Sequence, residues 1–537
     1  MTIAVRSALS YVFPIRIVNL LGRHLKTLIA LTLLMIALCV LLAWGAHSRP
    51  REWPAGEVPV VFWSWQSDVP SQVSVQRAIH GVGARSLFLH AGQIDYQRGV
   101  VRRIRPVTGA LPQGIALHLV YNATRDLLAQ FERIDPEALA STICQTYATD
   151  LARAGAEGVR ISGLQLDIDV PTRLLSRYER LLRMMRSLVP DGTILSITGL
   201  PTWMNSSGLA ATLDAVDFWI PQCYGAEIPV RLDHAGPIAS QGEVANEIDR
   251  ARKIGKPFYA GLAAYGYAIH FGRDGRRVQI SGSLDPGIVV GNASLELVDH
   301  RRFYAREGDP RASSEWRYVY RARENCTAGE LLIRQGEWLM LDLPTSEALR
   351  ATASAVRRQA GPTLLGICVF RLPTAGDATT LSVEEIADAL SDRSPSPAIE
   401  LSASVIGRDN RPDGTVVEIT CSNTGAVSGL LGEDAFRLEV SIGGARLAKL
   451  GPNGFDSSGL LFLPSSLSGE AIVCGAARAN IVRLAKYRWS PGMTASAILE
   501  FAAPPASPIS VIVTVRTDES HVLEETRLVT IGEITRE

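Results

Sequence analysis

The chain has 537 residues, 47% of them apolar and 20% charged, with 54 Lys+Arg against 54 Asp+Glu. That length suits two or three domains, or one large barrel with a satellite, and the composition excludes a disordered chain. Balanced charge gives no global field toward nucleic acid or acidic lipid, and no basic run interleaved with aromatics marks a nucleic-acid groove, so no nucleic-acid partner is expected.

In chain order, residues 1–26 form a basic stretch with Arg6, Arg16, Arg23, His24 and Lys26 and no acid, and 27–45 are apolar throughout. The apolar run is about as long as a membrane span, and the one-sided charge predicts a cytoplasmic N-terminus with the rest exported. Residues 27–46 are read as a single transmembrane anchor, or as a long signal peptide cut near Ala43-Trp44-Gly45. Either way the main domains are expected outside the cytoplasm: at the inner membrane facing the periplasm, or secreted.

Eight strand-like runs follow, at 58–65, 85–94, 115–122, 163–171, 194–203, 216–225, 257–267 and 364–373. Helical periodicity fills gaps at 136–155, 173–188, 242–254 and 346–359. Alternating strand and helix with eight strands is the count of a (β/α)8 TIM barrel over 55–395. A doubly wound sheet is the structural alternative, but no glycine-rich dinucleotide fingerprint follows the first strand. About a hundred residues separate strands seven and eight, which predicts an inserted subdomain at 268–345. A closing helix at 382–390 and a Ser-Pro linker lead to 398–537, whose short strands and turn signals have the cadence of a β-sandwich. Cys421 and Cys474 both fall there and are candidates for a bridge if that part is exported.

The fourth run carries the chemistry. In Gly163-Leu164-Gln165-Leu166-Asp167-Ile168-Asp169, period-2 alternation puts Leu164, Leu166 and Ile168 on one face and Gln165, Asp167 and Asp169 on the other. Carboxylates inside a strand's inner face must be paired, hydrogen-bonded, wet or protonated. In a barrel, the C-terminal ends of the strands meet at one mouth. This sequence places there Trp63, Trp65, His90, Tyr121, Asn122, Asp167, Asp169, Trp203, Gln222, Tyr224, Tyr265, Phe370 and Arg371. Two acids ringed by aromatics and amides suit a sugar, because aromatic faces stack on pyranose C–H surfaces and amides bind hydroxyls. His90, His118 and the two acids lack any HxH or HExxH spacing, so no metal and no cofactor is expected.

The order of segments resembles family-18 chitinases, whose fourth strand reads Asp-Gly-x-Asp-x-Asp-x-Glu and whose sixth reads Met-x-Tyr-Asp. The resemblance sets Asp169 in the place of the catalytic glutamate, Asp167 in that of its assisting aspartate, and Tyr224 on the strand-six tyrosine. Gln165, Gln222 and Gly225 stand where the family has Asp, Met and Asp. The whole chain is similar to an uncharacterised bacterial family catalogued as domain of unknown function 3142, which pairs an Asp-x-Asp strand with such a barrel. The resemblance implies a retaining, chitinase-like glycosidase acting on an extracytoplasmic glycan. Asp169 is then the general acid, Asp167 raises its pKa, and Gln165, Gln222, Trp63, Trp65, Tyr121, Trp203, Tyr265 and Arg371 join Tyr224 in holding substrate. The other class of reading is a non-catalytic, envelope-tethered barrel that binds a polysaccharide or a protein.

Overall fold

A computed structural model describes residues 53–532 and Met35, apart from 66–67, 226–227, 303–315, 360, 375–376, 394–396, 408–413, 465–470, 504 and 519–520. Except for Met35, the expected membrane segment at 27–46 lies outside the described residues. Among those described, no helix is long and apolar enough to cross a membrane.

Eight parallel strands close on themselves. In chain order the first eight strands are β1 (Val60–Ser64), β2 (Ser86–Gln97), β3 (Val100–Ile104), β4 (Ala116–Ala123), β5 (Ile161–Asp167), β6 (Ile194–Gly199), β7 (Phe218–Pro221) and β8 (Phe258–Ala263). An insertion follows, with β9 (Tyr267–Phe271), β10 (Arg277–Ser281), β11 (Leu295–Arg302), β12 (Trp316–Ala322), β13 (Cys326–Ala328), β14 (Leu331–Ile333) and β15 (Trp338–Leu343). The chain then returns to the barrel as β16 (Leu364–Phe370). Closure is explicit: β1 pairs in parallel with both β2 and β16. β3 is an antiparallel flap on β2, joined through Arg98 and Gly99, both at positive φ.

Alternation sorts the barrel residues into two apolar layers. Phe62, Leu87, Leu89, Leu164, Leu166, Ile197 and Leu262 face outward onto the helices and are at most 2% exposed. Val61, Trp63, Phe88, Val120, Phe218, Ile220 and Cys368 fill the interior. Each large apolar side chain so buried contributes about 1.5–3 kcal/mol. The barrel floor is aromatic. Phe88 stacks on His118 at 4.7 Å, and Phe218 meets Tyr259 edge-on at 5.3 Å. Burial pulls the His118 imidazole down to about 4, so this histidine is a neutral packing group. Gly163 is required beside it, since a Cβ there would strike the Ile194 carbonyl oxygen and come within 2.8 Å of His118 Nδ1.

Strands β9–β12 and β15 form one antiparallel sheet in the order β10-β9-β15-β12-β11, and β13 and β14 form a hairpin. Arg317 on β12 holds Asp342 on β15 through two 2.6 Å bonds, and both are almost fully buried. The same guanidinium donates to the carbonyls of Ala235 and Gly236, tying the insertion to the segment after β7.

Beyond the helix Val383–Leu390 lie a five-stranded and a six-stranded sheet whose inward residues share one core. Phe436 stacks on Trp489 at 4.1 Å inside it. The bridge considered between Cys421 and Cys474 is not formed, and both thiols are free. Cys421 is buried on one sheet and its Sγ donates to Ala495 O at 3.5 Å.

Candidate active site at the barrel mouth

The inward column of β5 rises from Gly163 through Gln165 to Asp167, where the strand ends. Gln165 is fully buried and neutral. Its Oε1 accepts from Trp63 Nε1 at 2.8 Å and its Nε2 donates to Ser196 Oγ at 3.3 Å. That satisfies a carboxamide which, unpaired, would cost about 1–3 kcal/mol. A neutral Gln165 also leaves the column with only two carboxyl groups.

Asp167 Oδ1 accepts from Thr198 Oγ1 at 2.6 Å, and Gln222 Nε2 stands 3.4 Å from the same oxygen. Burial first, then the neighbouring Asp169 charge, push the Asp167 carboxyl up to about 7, against the pull of the Thr198 bond. Asp169 lies two residues past the strand end, in a three-residue turn closed by Val170 N–H donating to Ile168 O at 2.8 Å. Its side chain is exposed, and partial desolvation raises its pKa as well. Both carboxyl groups therefore keep their protons to higher pH than an ordinary aspartate.

Aromatic rings cluster beside Asp167, whose charge acts on the Tyr224 hydroxyl. Trp65 packs on His90 at 4.8 Å and on Phe370 at 6.1 Å. Phe370 in turn meets Trp63 at 5.5 Å, Tyr265 at 4.9 Å and Tyr224 at 5.6 Å, the last nearly parallel at 24°. His90 Nε2 lies 3.1 Å from Asn122 Oδ1. Thus Trp63, Trp65, Gln165, Asp167, Gln222, Tyr224 and Tyr265 come together with His90, Asn122 and Phe370.

Three expected substrate-binding residues are placed elsewhere. Tyr121 follows Val120 and precedes Asn122, so alternation turns it outward. There its hydroxyl donates to Asp150 Oδ2 at 2.6 Å on the helix Pro136–Ala156. Trp203 leaves the sheet because Pro201 opens a 3-10 turn, and its Nε1 donates to Val170 O at 3.0 Å within the outer core. Arg371 is locked by Asp377 through two 2.9 Å bonds and also donates to Gly282 O. Thr198 and Ser196 were not singled out from sequence, although the inward alternation of β6 points both at the β5 column. Among the described residues, no group of three or more His, Cys, Asp or Glu side chains is placed to hold a metal ion.

A closed eight-stranded α/β barrel with paired acids at its mouth is the class of protein these observations define. Residues 124–297 match the family model described as Domain of unknown function (DUF3142). Among solved structures, the chain is similar to the spore cortex-lytic enzyme SleL of Bacillus cereus, at 14% identity and a TM-score of 0.40, over 63% of this chain and 74% of that one. It is similar to a chitinase from Chromobacterium violaceum, at 15% identity and a TM-score of 0.41, over 63% of this chain and all of that one. A chitinase-like agglutinin from Robinia pseudoacacia aligns at 14% identity and a TM-score of 0.39, over 62% and 99%. No curated protein matches the chain.

Proposed function

We propose that the mouth hydrolyses a glycosidic bond in a glycan outside the cytoplasm. The observation that carries this reading is the raised Asp167 carboxyl beside the Tyr224–Phe370–Trp65 cluster of aromatic faces, with Asp169 two residues further on. Glycoside cleavage needs a proton donor for the leaving oxygen and support for an oxocarbenium-like centre. Asp169, at the open end, delivers the proton. In this mechanism Asp167, held by Thr198, shares the proton with Asp169. Trp65, Tyr265 and Phe370 offer faces to sugar rings, and Gln222 and Tyr224 offer polar groups to an acyl or hydroxyl substituent. A retaining course, with the substrate's own acetamide as nucleophile, is part of this proposal.

The test is turnover of a panel of oligosaccharides, including N-acetylglucosamine polymers and cortex or cell-wall glycan strands. Wild type should cleave at least one and Asp169→Asn none, with unchanged folding. Turnover that survives in Asp169→Asn removes that residue from the mechanism.

One observation favours a second reading. Among the described residues, no hydrogen bond fixes the Asp169 carboxyl, whereas a working general acid is held in place. A non-catalytic barrel would retain a glycan without cleaving it, and the same panel separates the two. The reading also includes tethering through the apolar segment 27–46, with the C-terminal pair of sheets as a β-sandwich spacer. Fractionation of the full chain with membranes, and its release when residues 1–46 are removed, tests the tether.

A further inference from the structure

A cavity of about 570 Å³ lies away from the mouth, where the insertion, the segment after β16 and the C-terminal sheets meet. One wall is aromatic. Trp316 and Tyr318 lie 6.2 Å apart and 29° from parallel, with His300 stacked against both. Hydroxyls of Thr345, Thr380, Ser428 and Ser490 stand around it, and Arg350 and Arg488 also line it.

Arg488 is the unusual member. It is half-buried, and desolvation pulls its pKa below the usual arginine value. Asp285, Glu385 and Asp377 attract it, but each is already engaged. Glu385 accepts from Ser382 N and from Ser428 Oγ, and burial pushes it toward the neutral acid. Asp377 takes Arg371 together with Thr379 and Thr380. Asp285 caps the turn at Gly287 N. Among the described residues no hydrogen bond or ion pair to Arg488 is made, and none to Arg350. A half-buried guanidinium without a bonded acceptor is costly, and a bidentate carboxylate is the acceptor its planar fork matches.

We infer that this cavity is a second binding site, for an acidic saccharide whose carboxylate pairs with Arg488. The volume falls inside the range of about 300–1,000 Å³ common for small-ligand sites. The saccharide part of the assignment rests on the glycan reading of the mouth; the anion part does not. The cavity is one segment away from that mouth. Gly266 N donates to Thr379 O at 2.6 Å and Leu381 N to Ala264 O at 2.9 Å, so the strip that walls the cavity also holds the backbone around Tyr265.

The experiment is calorimetric titration of the full chain with tetragalacturonate, its methyl ester and chitotetraose. Wild type should bind tetragalacturonate, and the ester at least about tenfold more weakly. Arg488→Gln should weaken the acid by about tenfold to a hundredfold, the loss expected of one charged hydrogen-bonded contact. Arg350→Gln should weaken it in the same direction and serves as the deciding variant if Arg488→Gln does not fold. Asp169→Asn should leave the affinity for tetragalacturonate unchanged. Equal binding of acid and ester, no binding of the acid, or full affinity in the arginine variants would each overturn the site. A loss of affinity in Asp169→Asn would place the ligand in the mouth and overturn it too. Absence of hydrolysis at the mouth, by contrast, touches only the first reading and leaves these affinities as the measure of the second.

Discussion

Asp167→Asn gives the sharpest stability test. The Asp167 carboxyl moves from its usual 3.8 to about 7 in the folded chain, a rise of about three units. Each unit is worth about 1.4 kcal/mol, so ionising the folded site costs at most about 4 kcal/mol. Asp167 retains partial solvent contact, which reduces the figure to about 2–4 kcal/mol. The sign follows from proton counts. Below about pH 4 both folded and unfolded chains hold the proton, and the residue costs nothing. Between about 4 and 7 the unfolded chain releases it first, so stability falls as pH rises. Above about 7 the whole penalty is present. An asparagine keeps an acceptor for Thr198 Oγ1 and removes the repulsion from Asp169. Asp167→Asn should therefore match wild type near pH 4 and exceed it by about 2–4 kcal/mol near pH 8.5. Urea denaturation followed by near-ultraviolet circular dichroism, at both pH values, measures the difference. An equal gap at the two pH values would refute a buried, charge-coupled Asp167.

Gly163→Ala should destabilise the barrel by about 1–3 kcal/mol, read as a lower urea midpoint, because the methyl group meets the Ile194 backbone and His118. Tyr121→Phe removes the bond to Asp150 and should cost about 1–3 kcal/mol in the same assay while leaving glycan binding unchanged. A loss of binding without a loss of stability would put Tyr121 back at the mouth. Arg317→Met removes both bonds from Arg317 to the buried Asp342 and should cost about 3–5 kcal/mol, measured by the same denaturation.

The barrel was legible because each parallel strand is covered on both sides and reads as a dense apolar run, while the alternation of β5 marked its polar face. The same alternation, applied one residue more strictly, separates Tyr121 from Asn122, since neighbours on a strand face opposite sides. It also finds Thr198, two residues beyond Ser196 on the inward face of β6. Trp203 was misplaced because the apolar run at 194–203 continues past Gly199, and only Pro201 signals that the sheet has ended. The β2–β3 flap was overlooked although Arg98-Gly99 is a turn signal between two extended runs. The Arg371–Asp377 lock and the unbonded Arg488 depend on how distant segments fold together, which no local periodicity encodes.

The most direct measurement is a crystal structure of Asp169→Asn soaked with an oligosaccharide from the panel. The account predicts a sugar ring on the Trp65–Phe370–Tyr265 rim, with a glycosidic oxygen within hydrogen-bond reach of residue 169 and Asp167 behind it. Sugar bound only elsewhere, or an intact mouth whose two acids never approach a ligand that demonstrably binds the chain, would contradict it.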